Sequence, residues 1–129
     1  MDQTSPLTFD MNGLAEAVER LPKDSVDALP FGAIKLDEAG LVTFYSAAEA
    51  KLSGYGSRQP VLGMSFFVDV APCMNTPTFS GRIEKARAAG KYDLEFGWIG
   101  DFSDRSRELR VRIQPASDGG CWIFIQREQ

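Results

Sequence analysis

A single cysteine at the end of an apolar stretch raises the first chemical question. The stretch reads FFVDVAPC and places Cys73 directly after Pro72. A thiolate can attack an activated acyl group, and a helix beginning in the residues that follow would favour the thiolate through its dipole. In a small domain, however, a lone cysteine is more often a buried hydrophobic residue. Its neighbours in space decide between these interpretations.

Two further side chains, Tyr45 and Glu49, lie four residues apart. A helical turn with that spacing would present both on one side. The tyrosine hydroxyl can donate a hydrogen bond, and so can the carboxyl group when it is protonated. Alone, Glu49 is typical of a solvated helix acid and Tyr45 of a half-buried tyrosine at a strand end. They become candidate site residues only together with Cys73.

The charge balance and the length of the apolar runs exclude two classes of partner. The 129 residues carry a formal net charge of −4, whereas nucleic-acid binding requires clustered Lys and Arg that neutralise phosphates. No apolar run approaches the roughly 20 residues of a membrane-spanning helix. The amino terminus lacks the basic start and apolar stretch of an export signal. We therefore expect a cytoplasmic protein that binds neither nucleic acid nor membrane.

The absence of histidine removes several kinds of catalytic and metal site. With no histidine and two cysteines, Ser-His-Asp and Cys-His catalysis lack their usual base. Two cysteines cannot fill a four-ligand zinc site, and a haem would lack a histidine ligand. We expect no metal site and no enzyme, because no acid–base pair accompanies a nucleophile.

The amino-terminal residues are interpreted as a helical cap. Apolar residues recur at helical spacing through Leu14, Val18 and Leu21 before a proline ends the pattern. The segment is too short for a core of its own, so it should lie on the rest of the chain. We assign residues 1–28 to the cap and 29–129 to one domain.

The rest of the chain alternates between strand and helix signals. Two apolar runs flank DEAG, a hairpin pattern with Gly40 in the turn. AAEAKLS and TPTFSGRIEKARAAGK are typical of helices, whereas YDLEFGWI, ELRVRIQP and CWIFIQR are typical of strands. We expect Arg110 and Arg112 on a solvated face and Cys121 packed in the last strand. The order predicts an α+β domain: a central five-stranded antiparallel sheet with helices on one face.

Four segments carry a resemblance to a known family. LPFGAIKLDEAG, YSAAEA, GMSFFVDVAPC and CWIFIQR are similar, in order and spacing, to segments of the photoactive yellow proteins, the xanthopsin family of PAS-fold blue-light receptors. The similarity covers residues 29–127. It implies a PAS photosensor domain over residues 29–129, with the cap of residues 1–28 in front of it.

The resemblance also implies a covalent chromophore. In the family, the cysteine of this motif carries p-coumaric acid (4-hydroxycinnamic acid) as a thioester, and Cys73 matches it. Tyr45 and Glu49 match the residues that hold the phenolate oxygen, and Ser53 matches a threonine that supports them. Three aromatic residues are expected to line the ring: Phe66, Phe96 and Trp98.

Two departures from the family pattern concern the surroundings of the chromophore. The arginine that covers it has its nearest match by position in Tyr55, with Arg58 as an alternative. The family methionine that assists the return to the dark form is missing, because the corresponding loop reads GDFSDRSRE. The second departure predicts slow dark recovery.

The implied photocycle follows from charge burial. A phenolate next to Glu49 in a dry site favours the neutral acid, because like charges repel. Light would isomerise the chromophore from trans to cis, and Glu49 would then protonate the phenolate and be left as an unpaired carboxylate. That charge costs several kcal/mol, against a domain stability of about 5–15 kcal/mol. The cap, which we expect to have few long apolar contacts, would be released as the signal.

The implied partner is a downstream signalling protein such as a sensor kinase, and we expect a monomer or a weak dimer. Two other interpretations stay open. One is a PAS sensory or interaction module without a chromophore. The other is a thiol redox sensor that uses Cys73.

Overall fold

The computed structural model describes residues 7–53, 61–90, 92–100 and 107–127, with only the backbone described at 52 and 53. These residues contain five strands and four α-helices. In chain order they are α1 (Leu14–Glu19), α2 (Lys23–Asp27), β1 (Gly32–Leu36), β2 (Val42–Tyr45), α3 (Ala47–Ser53), α4 (Ser80–Ala89), β3 (Leu94–Ile99), β4 (Glu108–Pro115) and β5 (Cys121–Arg127). A π-helical turn, Phe66–Val70, and a 3-10 turn, Pro72–Met74, lie between α3 and α4.

The five strands form one antiparallel sheet in the order β2-β1-β5-β4-β3. The last strand in sequence, β5, is central, and its Ile123 pairs with Ile34 of β1 and with Ile113 of β4. Because both faces of β5 are covered, an almost continuous apolar run suits it. The predicted antiparallel sheet and its five strands are confirmed.

A hydrophobic core lies between one face of the sheet and the helices α3 and α4. We call it the main cluster. Its buried members include Ile34, Tyr45, Ala50, Phe66, Val70, Ala71, Met74, Phe79, Ile83, Val111, Ile113 and Ile123, with Phe67, Phe96 and Trp98 packed against it. The helices that follow the first hairpin therefore gather on one face of the sheet, as predicted.

The opposite face of the sheet is covered by the amino-terminal segment. This second group, the cap cluster, contains Phe9, Leu14, Ala15, Val18, Val26, Leu29, Phe31, Ala33, Ala116, Trp122 and Phe124. The ring of Phe31 contacts Phe9 and Phe124 edge-on at 5.8 and 6.0 Å. The expectation that this segment has few apolar contacts is therefore wrong, because its side chains share a core with the sheet.

Polar side chains of β4 also hold the amino-terminal segment. Arg112 donates from Nη1 to the carbonyl oxygens of Phe9 (2.8 Å) and Met11 (2.6 Å). It donates from Nε and Nη2 to the Asp93 carboxylate at 3.0 and 2.8 Å. Arg112 is buried, so the expected solvated face is wrong at this position. Arg110, on the same face, is half-buried and pairs with Asp10. The backbone of the segment requires donors where it crosses the sheet, and Arg112 supplies them.

Candidate functional site

Tyr45 and Glu49 are both buried where β2 ends and α3 begins. Tyr45 is the last residue of β2 and pairs with Ile34 of β1, whereas Glu49 lies in the first turn of α3. Their exposed fractions are 0% and 1%. Both side chains are thus shielded from water. They are not positioned by a single helical turn, as the spacing suggested, but by the end of a strand and the start of a helix.

Ser46 explains why the helix begins at this point. Its Oγ accepts hydrogen bonds from the N–H of Glu49 (3.0 Å) and from the N–H of Ala33 (3.1 Å). The pattern Ser-x-x-Glu is the signature of a capping box, in which the glutamate would return to the serine N–H. Here that N–H donates to the Ala33 carbonyl at 2.9 Å. The Glu49 carboxyl group is therefore not needed as a cap and extends elsewhere.

The Glu49 carboxylate binds a buried arginine. Arg127 Nη1 and Nη2 donate to Glu49 Oε1 and Oε2, each at 2.8 Å. The exposed fractions of the two side chains are 3% for Arg127 and 1% for Glu49. Two parallel charge-assisted hydrogen bonds of this kind fit an ionised carboxylate. In this geometry an ionised Glu49 has a counter-charge, whereas the unpaired Glu49 expected after illumination stays a prediction.

Gly32, the first residue of β1, makes room for this pair. A Cβ at that position would overlap Glu49 Oε1 and come within 3.1 Å of Glu49 Cβ. Any larger side chain would have to displace the buried carboxylate or the start of α3. The glycine in the FGAI segment is thus required by the close approach of Glu49 to β1.

Aromatic rings line the main cluster on the side of the π-helical turn and α4. Phe66 contacts Phe67 at 5.0 Å between ring centroids, and Phe67 contacts Phe79 at 5.8 Å. Phe79 in turn contacts Phe96 at 5.2 Å and Trp98 at 5.0 Å, all edge-on. Tyr45, Phe66, Phe96 and Trp98, four of the predicted site residues, thus belong to one apolar group.

Cys73 is the middle residue of the 3-10 turn and is exposed. Met74, which follows it, and Ala71, two residues before it, are buried in the main cluster, whereas Pro72 is exposed. The next α-helix begins only at Ser80. The expectation that Cys73 lies near the start of an α-helix is therefore wrong. Its thiol is reachable from solvent, whereas its chain segment borders the core that contains Tyr45. The segment that carries Cys73 thus packs against the same main cluster as Tyr45.

Cys121 differs from Cys73 in its burial and in the element that carries it. It lies in β5 and is buried, and burial raises the pKa of its thiol to about 12. A thiol that stays protonated at neutral pH is a poor nucleophile. The prediction that Cys121 is a packed strand residue is confirmed.

Some predicted positions lie outside the described residues. These are the side chain of Ser53, both candidates for the covering residue, Tyr55 and Arg58, and most of the loop between β3 and β4. Over the described ranges no three His, Cys, Asp or Glu side chains are grouped to hold a metal ion. In the same ranges no helix is both long and apolar enough to span a bilayer.

Sequence reasoning missed Arg127 and the requirement for Gly32. The signal for Arg127 was a basic residue at the end of a mostly apolar strand, CWIFIQR. A charge buried there needs an acid from elsewhere in the chain. Glu49 is that acid, 78 residues away. The signal for Gly32 was weaker, because a glycine at a strand start is common and shows no partner.

Comparison with known proteins agrees with this architecture. The PAS fold family model matches residues 22–128. The photoactive yellow protein of Rhodothalassium salexigens is 35% identical over 122 residues, which cover 94% of this chain and 97% of that protein. The photoactive yellow protein of Halochromatium salexigens is 32% identical, with 92% and 95% covered.

A solved structure gives the same result. The photoactive yellow protein domain of the sensor histidine kinase Ppr from Rhodospirillum centenum is 34% identical, with a TM-score of 0.79 over 87% of this chain and 98% of that domain. The PAS domain of Bordetella pertussis BvgS, at 16% identity and a TM-score of 0.61, shares the fold alone. The chain therefore belongs to the photoactive yellow protein family, whose members are PAS-fold photoreceptors and not enzymes.

Proposed function

We propose that this protein is a blue-light photoreceptor that carries p-coumaric acid as a thioester on Cys73. The observation that carries the proposal is the complete burial of Tyr45 and Glu49 at the β2–α3 junction. The Tyr45 hydroxyl and, when it is protonated, the Glu49 carboxyl group can each donate a hydrogen bond, which suits a phenolate oxygen. Without such donors, burying that charge would cost several kcal/mol.

The position of Cys73 supports attachment at this residue. The exposed sulfur can be reached by an activated acyl compound. The Sγ thiolate attacks the activated carbonyl carbon and expels the leaving group with the electron pair of the broken bond. The acyl group would then have to turn towards the apolar side of the segment, where Ala71 and Met74 are buried in the main cluster.

The remaining site residues exclude water and hold the ring. The bound group would supply a conjugated phenolate that absorbs visible light and isomerises from trans to cis. Phe66, Phe96 and Trp98 belong to or pack against the same main cluster as Tyr45 and would provide an apolar surface. Ser53 is proposed to support the two donors. Glu49 holds its proton on a carboxyl oxygen in the dark and releases it after illumination.

Release of the cap, residues 1–28, is the proposed signal. The described part of the cap covers Phe31, Trp122 and Phe124, so undocking would expose a large apolar surface to a partner. A cytoplasmic sensor kinase is the proposed recipient, because the Rhodospirillum centenum relative is a domain of a sensor histidine kinase. The proposal thus includes that residues 1–28 separate from residues 29–129 as one unit.

Dark recovery is proposed to be slow. The segment 100–108 reads GDFSDRSRE and contains no methionine, whereas the family methionine in this loop assists the return of the chromophore. We expect recovery slower than seconds at neutral pH after a flash. Recovery within seconds, measured as the return of the visible band, would contradict this part of the proposal.

Colour and mass test the attachment. The purified apoprotein is incubated with activated p-coumaric acid, and its mass and visible spectrum are recorded. We expect a gain of one acyl group and a visible band, both abolished in Cys73→Ala and unchanged in Cys121→Ala. The band should shift to longer wavelength in Glu49→Gln, because a weaker donor stabilises the phenolate less. An unchanged mass of the wild-type protein would sink the proposal.

The exposure of Cys73 also favours a second candidate function, a thiol redox sensor. It predicts no acylation and selective oxidation of Cys73 by mild peroxide. Peptide mapping after each treatment distinguishes the two candidates, because oxidation adds oxygen to Cys73 whereas acylation adds the coumaroyl group. If Cys73 neither acylates nor oxidises, a PAS interaction module without a chromophore remains.

A further inference from the structure

The strongest unexplained feature of the site is the buried arginine that binds the acid. Arg127 ends β5, the central strand, and its register partner on β4 is Leu109. Its guanidinium group binds both oxygens of Glu49 at 2.8 Å in a region that water does not reach. The proposed dark state does not require this contact, because Glu49 is neutral there and faces the phenolate.

The geometry of the contact indicates the charge of Glu49. A protonated carboxyl group has one hydroxyl oxygen, which donates and accepts weakly, whereas a carboxylate accepts at both oxygens. Equal distances of 2.8 Å to both oxygens match the carboxylate. The contact thus favours an ionised Glu49 with Arg127 as its counter-ion.

We propose that Arg127 is a positioning residue that holds Glu49 as a carboxylate, first in the protein before chromophore attachment and again after Glu49 has lost its proton. Glu49 thus has two alternative partners: the ring oxygen when it is neutral, and Arg127 when it is ionised. The second half of the proposal rests on the proposed photoreceptor function, whereas the first half concerns the apoprotein alone.

The surroundings of Glu49 allow its side chain to rotate from one binding partner to the other. The backbone N–H of Glu49 is fixed by Ser46 Oγ, so the start of α3 stays in place while the side chain rotates. Gly32 carries no side chain in the space that the carboxylate occupies. The backbone contacts are thus independent of which partner the carboxyl group binds.

Infrared spectroscopy of the apoprotein tests the first half. Protonated Glu49 would give a carbonyl stretch that shifts on ¹³C-glutamate labelling and is absent in Glu49→Gln. At pH 7 we expect no such band in the wild type, a band in Arg127→Gln, and none in Arg127→Lys, which keeps the charge. Arg87 is an exposed arginine of α4. The variant Arg87→Gln is the control and should resemble the wild type.

A protonated Glu49 in the wild-type apoprotein would overturn the proposal without any variant. If Arg127→Gln folds, as judged by circular dichroism, and Glu49 stays ionised in it, the proposal is likewise overturned. These outcomes do not depend on the chromophore, so they are distinguishable from a failure of the wild type to acylate, which would overturn the photoreceptor function alone.

Dark recovery of the acylated protein tests the second half. Without Arg127 the ionised Glu49 after illumination is less stable and takes a proton back more readily. We expect recovery about tenfold faster in Arg127→Gln, which is the effect of a change of about one pKa unit in Glu49. The rate in Arg87→Gln should be unchanged. A recovery rate in Arg127→Gln equal to that of the wild type would contradict the proposed role.

Discussion

Arg127 and Arg112 are both buried arginines of the central strands β5 and β4, yet they hold different kinds of group. Arg127 binds the carboxylate of Glu49, which is 1% exposed. Arg112 binds Asp93, whose side chain is 50% exposed, and two backbone carbonyl groups of the amino-terminal segment. One arginine therefore responds to the charge of a single buried acid, and the other to the position of a chain segment.

Under the proposed function, this difference separates the proposed site of proton transfer, at Glu49, from the proposed signalling surface, at the amino-terminal segment. If Glu49 loses a proton as proposed, the group that Arg127 binds would change in charge directly, because a buried charge requires a counter-charge. The contacts of Arg112 with neutral carbonyl groups change only if the segment moves. A photoreceptor that uses both would convert a local change in charge on one side of the sheet into a change of docking on the other.

The largest effect is expected from Glu49→Leu in the apoprotein. It leaves the Arg127 guanidinium group buried without its carboxylate, which should lower the free energy of unfolding by roughly 3–5 kcal/mol. Urea denaturation followed by circular dichroism measures it. The cap contacts of Arg112 should be unaffected in the folded fraction.

The double variant Glu49→Leu/Arg127→Met is the control for that measurement. Replacing both charges by apolar side chains of similar size is often nearly neutral, so most of the lost stability should return. If the double variant is as unstable as Glu49→Leu, the two residues are not coupled and the comparison of the two arginines fails.

The next largest effect is expected from Arg112→Met. It removes charge-assisted hydrogen bonds to Phe9, Met11 and Asp93, and hydrogen bonds to charged groups contribute about 1.5–3 kcal/mol. The loss should be local: hydrogen exchange of residues 7–28 should accelerate and protease should cut there. The visible band of the acylated protein should stay in place, unlike in Glu49→Gln.

Arg110→Met is the matched control, since Arg110 lies two residues away on the same strand face. It pairs with Asp10 at 2.9 Å and with Glu95, but its side chain is 39% exposed, and exposed ion pairs contribute about 0–1 kcal/mol. Equal cap release by Arg110→Met and Arg112→Met would show that burial does not distinguish the two residues.

The sequence predicts the strands better than it predicts these arginines. Local patterns suffice for β5, whose apolar run CWIFIQR matches Cys121–Arg127, and for β3, whose alternate residues are half-buried. Arg110 and Arg112 occupy equivalent positions in an alternating pattern. Only the path of a segment about 100 residues earlier in the chain decides which one is buried.

The candidate site shows the same limit. The Ser-x-x-Glu pattern marks the start of α3 and so places Glu49 beside Tyr45. It does not show that the carboxylate turns towards Arg127, because that contact joins residues 78 positions apart. Helix starts depend on neighbouring residues, whereas buried ion pairs depend on the packing of the whole sheet.

The smallest effect concerns acid release of the cap. The Arg112 hydrogen bond lowers the pKa of Asp93, against an opposing effect of burial. Burial raises the pKa of Glu19, but hydrogen bonds from Trp122 and Ser117 outweigh it, so this pKa is also lowered. Carboxylates with lowered pKa values stabilise docking above their ordinary range, about pH 4, and this stabilisation is lost as the pH falls through the lowered values.

The indole N–H of Trp122 reports this change, because it donates to Glu19 Oε2 at 2.8 Å. Its resonance in nuclear magnetic resonance spectra should move below about pH 4, before the resonances of the main cluster change. Asp93→Asn should reduce the pH dependence of docking, since a neutral amide gains nothing from ionisation. If the Trp122 and main-cluster resonances always change together, the cap has no separate acid transition. The amino-terminal segment would then leave the Arg112 face of the sheet only when the whole domain unfolds in acid.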